Sequence, residues 1–202
     1  MNLLLSQILA TSPWEATAAL LGLAYLLLAV RRSLWCWLCA FISTAIYLVL
    51  FAQAKLYMQS ALQVFYLAMA IYGFIEWRRG RSERGGVLVR SWSMRRHLTA
   101  AIAIAVATML NGWLLARGTD AVAPYLDSFV TWSSVVTTWM VAKRLIENWL
   151  YWIVIDSLAA YLYFTQQFFV TTLLFLLYVG IVVRGYIQWR RQHALQLAGA
   201  TG

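Results

Sequence analysis

The sequence predicts an all-α polytopic membrane protein: seven transmembrane helices, arranged as two copies of a three-helix unit joined by a connecting helix. Three observations carry this. Of 202 residues, 63% are hydrophobic, only 11% are charged and two are proline. A water-soluble domain of this length carries far more charge on its surface. Apolar runs of about 18–22 residues recur along the chain, the length that crosses a hydrocarbon core. The chain also repeats. A displacement of 112 residues, without a gap, sets Arg32 on Arg144, Trp37 on Trp149, Tyr66 on Tyr178 and Gly73 on Gly185. It also lays "IEWRR" (75–79) on "IQWRR" (187–191) and Glu15 on Asp127. Leucine matches arise freely in such a sequence, whereas matches of Trp, Gly and a Trp-Arg-Arg run do not.

The runs fall at roughly 14–30, 34–53, 57–77, 97–116, 125–142, 148–165 and 168–189. The first leads directly into further spans and so reads as a helix rather than a cleaved leader. The second holds Cys36 and Cys39 in "CWLC". A redox pair needs an accessible, activated thiolate, which a span does not supply, so these read as two small buried residues. There is no second pair for zinc. Only the third-to-fourth connection is long, and it carries Arg78, Arg79, Arg81, Arg84, Arg90, Arg95 and Arg96. Repeat one then covers about 14–79, the connector helix about 97–116 and repeat two about 125–191, within a single membrane domain of residues 1–202. The displacement moves four spans, an even number. Both copies therefore face the same way, as a parallel repeat about the membrane normal, an arrangement found in transporters.

Charge sets the orientation. The formal net charge of +9 comes from 16 basic and 7 acidic residues. Thirteen basic residues lie in the loops and tail of one side, against Lys55 and Arg117 on the other. The positive-inside rule makes the first side cytoplasmic, with the N-terminus outside and the C-terminus inside. The basic balance thus reads as topology in a lipid bilayer, not as nucleic-acid binding. No phosphate-binding glycine loop, G-x-S-x-G or H-E-x-x-H is present, and no metal, cofactor or enzymatic activity is expected.

Helical faces locate a candidate site. At 100° per residue, Trp149, Trp152, Asp156, Ala160 and Tyr163 of the sixth span share a stripe about 80° wide. A charge at mid-bilayer costs about 2.5–3.5 kcal/mol on insertion scales. Asp156 is therefore either a structural aspartate bonded to a neighbouring helix or a binding-site acid facing a watery cavity. Gln59, Gln63, Tyr66, Ala70, Gly73 and Trp77 form a like stripe in the third span, as helix–helix contacts or as ligand groups. Ser128, Trp132 and Trp139 align in the fifth, where Trp139 reads as an interfacial anchor and Trp132 lies deeper. Glu147 and Asn148 stand at the inner mouth of the sixth span beside Lys143 and Arg144, where Glu147 can favour the helix dipole or pair with a base. Arg184 is close enough to the inner end of the seventh span to snorkel. The candidate substrate-binding residues are Trp149, Trp152, Asp156, Asn148, Gln63, Tyr66, Trp132 and Gln59. Such a pocket is aromatic, amide-bearing and slightly acidic. It suits a planar organic molecule better than a phosphate, and a cationic ring would gain about 2 kcal/mol of cation–π energy when desolvated.

"RLIENWLYWIVIDSLAAYLYF" (144–164) resembles the sixth core helix of the PnuC family of vitamin transporters, and "LQVFYLAMAIYGFIEWRRG" (62–80) resembles its third. The likeness spans nearly the whole chain. It implies a 3+1+3 fold of SWEET-like architecture, a homotrimer, and a bacterial inner-membrane location. It further implies facilitated-diffusion uptake of a vitamin that a separate cytoplasmic kinase traps by phosphorylation. Nicotinamide riboside is the substrate it implies first and thiamine the alternative; both carry a cationic aromatic ring. The chain departs from many riboside carriers at Ala70 and Phe74, where they resemble one another in holding Asn and Trp, and at Asp156, where many hold Asn.

Overall fold

The computed structural model describes residues 12–53, 57–80, 87–119, 123–165 and 167–198, with the side chains of residues 57–59 excepted. Lys55, Arg81, Arg84 and the side chain of Gln59 therefore lie outside the described residues. Seven helices run through the described residues: α1 (Pro13–Val30), α2 (Trp35–Gln53), α3 (Tyr57–Arg79), α4 (Met94–Gly118), α5 (Pro124–Ala142), α6 (Asn148–Thr165) and α7 (Phe169–Ala198). They match the seven runs, with α7 extended nine residues beyond 189 into the charged tail.

The helix ends follow local chemistry. Ser12 caps α1, its Oγ accepting from the Glu15 amide at 3.1 Å, and Pro13 occupies the first turn. This is a Ser-x-x-Glu start with proline where its missing N–H costs nothing. α5 begins on Pro124, with Asp127 in its first turn. α1 and α5 also end alike. Arg32 and Arg144 have φ of 57° and 64°. The Arg32 and Ser33 amides return to the Ala29 and Leu28 carbonyls, as those of Arg144 and Leu145 return to Val141 and Met140. Each is a Schellman end with arginine in the left-handed position where glycine is commonest. Arginine serves here through its side chain. Arg32 donates to the Val87 carbonyl and the Gln192 side chain, both at 3.2 Å. Arg144 reaches Glu76 at 3.9 Å and lies flat against Gly80, where any Cβ would overlap its guanidinium.

Five helices are long and apolar enough to cross a membrane: α1, α2, α3 from Ser60, α4 and α7. α5 and α6 were expected to match them and fall short. The reason is what they bury. α5 carries Ser128, Ser133, Ser134, Thr137 and Thr138 as buried residues, and α6 carries Asn148 and Asp156. Most α5 hydroxyls have protein partners. Thr137 and Thr138 donate to the Ser133 and Ser134 carbonyls one turn back, at 2.7 and 2.8 Å, and Asn111 of α4 donates to Ser128 at 3.1 Å. Helices enclosed by other helices need less lipid-compatible surface than those facing the bilayer.

Packing follows a circuit: α1 lies on α2, α2 on α3, α3 on α5, α5 on α6, α6 on α7, and α7 on α1. The backbone of α4 approaches α5 alone, outside that circuit. The core centres on four indoles. Trp37 meets Trp77 edge-on at 5.5 Å and 89°, Trp77 meets Trp189 at 5.8 Å, and Trp189 meets Trp149 edge-on at 5.3 Å and 83°. Trp77 Nε1 donates to the Val141 carbonyl at 3.0 Å, and Trp189 Nε1 to the Ala29 and Val30 carbonyls at 3.2 and 3.1 Å. These bonds tie α3 to α5 and α7 to the end of α1.

The segment before α4 crosses the basic end of the bundle as a strap. Val87 and Val89 are buried in the core. The Arg90 amide donates to the Arg144 carbonyl and the Ile146 amide donates to that of Arg90, both at 2.9 Å. Glu147 accepts from the Trp92 amide at 3.2 Å and from the Ser91 hydroxyl. Glu147 therefore anchors the strap and pairs with no base among the described residues, while Lys143 takes Glu76, at 3.4 Å. A bond to a charged acceptor contributes about 1.5–3 kcal/mol. Glu147→Ala is expected to speed amide exchange at Arg90 to Trp92 by about tenfold or more without changing exchange in α7. Unchanged protection of the strap would show that its backbone bonds hold it alone.

Candidate functional site

A cavity of about 330 Å³ lies inside the circuit. α1 contributes Gly22, Tyr25 and Ala29, and α3 contributes Tyr66. α5 adds Ser134, α6 adds Trp149, Trp152 and Asp156, and α7 adds Phe175 and Tyr178. The α6 residues arrive together because spacings of three and four keep them on one face. Small neighbours leave room: Ala159 and Ala160 are buried beside Asp156. Gly22 brings α1 close, a Cβ there standing 3.7 Å from the Tyr178 hydroxyl.

Trp149 forms one wall and is fixed from behind. It stands edge-on to Trp189, and Gly185 of α7 lies so near that a Cβ would come within 2.7 Å of the indole. Its Nε1 is buried without a hydrogen-bond partner among the described residues, as is that of Trp37. Phe175 and Tyr178 meet at 5.6 Å, and Tyr163 stacks on Phe175 at 5.3 Å and 28°. Asp156 is 4% exposed. It makes no hydrogen bond or ion pair to a described residue, so no described residue serves as a counterion for its carboxyl group.

Four of the eight residues singled out from sequence meet in this cavity: Trp149, Trp152, Asp156 and Tyr66. Asn148 is fully buried behind it, its amide donating to the Leu145 carbonyl in the turn before α6. Gln63 is half-buried on α3 and Trp132 is 37% exposed on α5; neither lines the cavity. The Gln59 side chain lies outside the described residues. Tyr25, Ser134, Phe175 and Tyr178 were not singled out. The displacement of 112 holds a signal for two of them: Tyr178 is the counterpart of Tyr66 and Phe175 of Gln63.

The chemistry available is recognition. Flat rings, three tyrosine hydroxyls, a serine and one carboxyl group can hold a planar polar molecule. Among the described residues no three His, Cys, Asp or Glu side chains converge as metal ligands.

A sequence model of the family described as nicotinamide mononucleotide transporter matches residues 12–191. The chain belongs to this family. It is a multi-pass membrane transporter and not an enzyme. Over 193 residues it is 29% identical to the riboflavin/roseoflavin transporter RibM of Streptomyces davaonensis, covering 90% of this chain and 88% of that one. Over 200 residues it is 24% identical to the nicotinamide riboside transporter PnuC of Escherichia coli, covering 87% and 84%. The crystal structure of the vitamin B3 transporter PnuC superposes with a TM-score of 0.72 at 24% identity, over 88% of this chain and 80% of that one, and so shares the fold.

Proposed function

We propose that this member of the family is a vitamin carrier, mediating facilitated-diffusion uptake of an unphosphorylated molecule with a cationic aromatic ring, nicotinamide riboside first. One observation carries the choice: Asp156 is buried among aromatic rings without a counterion among the described residues. A ring bearing positive charge satisfies that carboxyl group and stacks on indole at the same time. Thiamine has the same two properties. A phosphate finds no basic residue among the described residues of the cavity lining, which disfavours a nucleotide as substrate. The named function of the RibM relative favours a second reading, riboflavin, whose wide neutral ring system would use the tyrosines and tryptophans but not a charge on Asp156.

The 3+1+3 parallel repeat is supported by paired details. Several contacts of one three-helix unit have counterparts at the displacement of 112. Trp37 on Gly73 corresponds to Trp149 on Gly185, and the left-handed Arg32 to the left-handed Arg144. The basic residues gathered at the end holding the strap support a cytoplasmic C-terminus in a bacterial inner membrane, with the N-terminus outside. The family resemblance supports a homotrimer and trapping by a cytoplasmic kinase.

Calorimetric titration of the purified protein against nicotinamide riboside, thiamine, riboflavin and nicotinamide mononucleotide separates the readings. Tight binding of the riboside or thiamine, and at least tenfold weaker binding of the mononucleotide, is expected. Preference for riboflavin establishes the second reading, and equal binding of the mononucleotide overturns the unphosphorylated one.

A further inference from the structure

We infer that the groove between α1 and α7 at the basic end of the bundle binds an anionic phospholipid, its phosphate held by Arg31 and Arg184. Leu27, Val30, Leu176, Leu177, Gly180 and Ile181 form an apolar groove of about 380 Å³, and Arg31, Arg184 and Gln188 stand at its head. Its lining comes from α1 and α7 alone. The groove is uncrowded, with nothing within 4 Å of a Cβ added at Gly180. Both arginines are exposed, and neither guanidinium has a hydrogen bond or ion pair to a described residue.

The repeat supplies an internal control. Under the displacement of 112, Arg31 corresponds to Lys143, Arg184 to Tyr72 and Gln188 to Glu76. At the α3–α5 position the one cation among these three residues, Lys143, is paired within the protein. Lys143 meets Glu76 at 3.4 Å and lies over the Tyr72 ring at 5.0 Å. The neighbouring groove there is walled further by α4 and by Trp92, which packs on Trp139 at 5.5 Å. At the α1–α7 position the acid has become an amide and the aromatic ring a second cation. Two positive charges thus replace one, the counterion is gone, and the covering helix is missing. A diacyl lipid supplies both lost parts: a phosphate for the guanidinium pair and an acyl chain along the groove. Guanidiniums snorkelling to the head of an apolar groove on the basic side of a membrane protein have the geometry that anionic headgroups recognise.

Native mass spectrometry of the detergent-purified protein, titrated with phosphatidylglycerol or phosphatidylcholine, tests this. Retention of phosphatidylglycerol at least tenfold tighter than of phosphatidylcholine is expected. That preference should vanish in Arg31→Gln/Arg184→Gln. It should also fall in Gln188→Glu, which restores the acid of the other copy with a minimal change of shape and so covers the case in which the double variant folds poorly. Equal retention of both lipids by the parent overturns the inference, as does a preference that survives in Gln188→Glu. Glycerol phosphate stabilising the protein as strongly as phosphatidylglycerol would mark a headgroup-only site and overturn the lipid. A change in subunit number in either variant, with lipid retention unaltered, would mark the groove as a contact between copies of the chain.

Discussion

Gly185→Ala is expected to lower the unfolding temperature by several degrees, and Gly73→Ala by at least as much. A Cβ at 185 would stand 2.7 Å from the Trp149 ring, and one at 73 would stand 2.3 Å from that of Trp37. The indoles cannot simply retreat. Trp149 abuts Trp189 and Trp37 abuts Trp77, while Trp77 and Trp189 are pinned by their Nε1 bonds to α5 and α1. Overpacking of this kind costs about 1–3 kcal/mol, and each kcal/mol shifts the midpoint of a chain this size by about 2–4 °C. Gly180→Ala adds the same methyl to the same helix as Gly185 but meets nothing within 4 Å, and should melt like the parent. The glycine variants should then part in a binding assay. Gly185→Ala displaces a cavity wall and weakens ligand, whereas Trp37 does not line the cavity, so Gly73→Ala should lose stability before affinity. A parent-like midpoint for Gly185→Ala would mean the indole row is loosely packed.

The same residues show how much was legible in advance. Helix number and position follow from the apolar runs because lipid leaves no alternative to a continuous helix. The displacement of 112 matches Trp37 with Trp149 and Gly73 with Gly185, but that each glycine admits an indole needs the packing. The lesser apolarity of α5 and α6 was legible only as composition; that it reflects enclosure needs the packing. Helical periodicity sets Trp149, Trp152 and Asp156 on one face, and they line one cavity because they ride on one rigid element. It carried less for Trp132, because a wheel gives a residue's angle on its own helix and not what the neighbouring helices present at that height. Tyr25 carries no such signal, because the acidic residue of α1, Glu15, stands in its first turn and away from Tyr25. Asn148 lies one residue before Trp149, but its amide serves the turn into α6 rather than the cavity. The strap of residues 87–93 is too short and irregular for any period, and its place depends on backbone bonds to the α5–α6 turn.

Asp156→Asn is expected to weaken a cationic-ring ligand by tenfold to a hundredfold while leaving a neutral flat ligand nearly unaffected. The substitution keeps the shape of the side chain and removes its charge. A buried hydrogen bond or contact to a charged group is worth about 1.5–3 kcal/mol, and each 1.4 kcal/mol is tenfold in dissociation constant. Trp152→Ala provides the complement. It removes the stacking surface and leaves the acid in place, so it should weaken cationic and neutral rings alike, by about 1–2 kcal/mol. Calorimetry with nicotinamide riboside and riboflavin on both variants gives four values whose pattern decides the roles. Charge recognition by Asp156 predicts a large loss in one of the four, riboside on Asp156→Asn, and moderate losses in both Trp152→Ala titrations. A structural aspartate predicts instead a poorly folded Asp156→Asn that loses both ligands together, which a lowered unfolding temperature would reveal. If Trp152→Ala keeps the parent's midpoint and binds both ligands as the parent does, the substrate sits instead against Tyr66 and Tyr178, which also line the cavity.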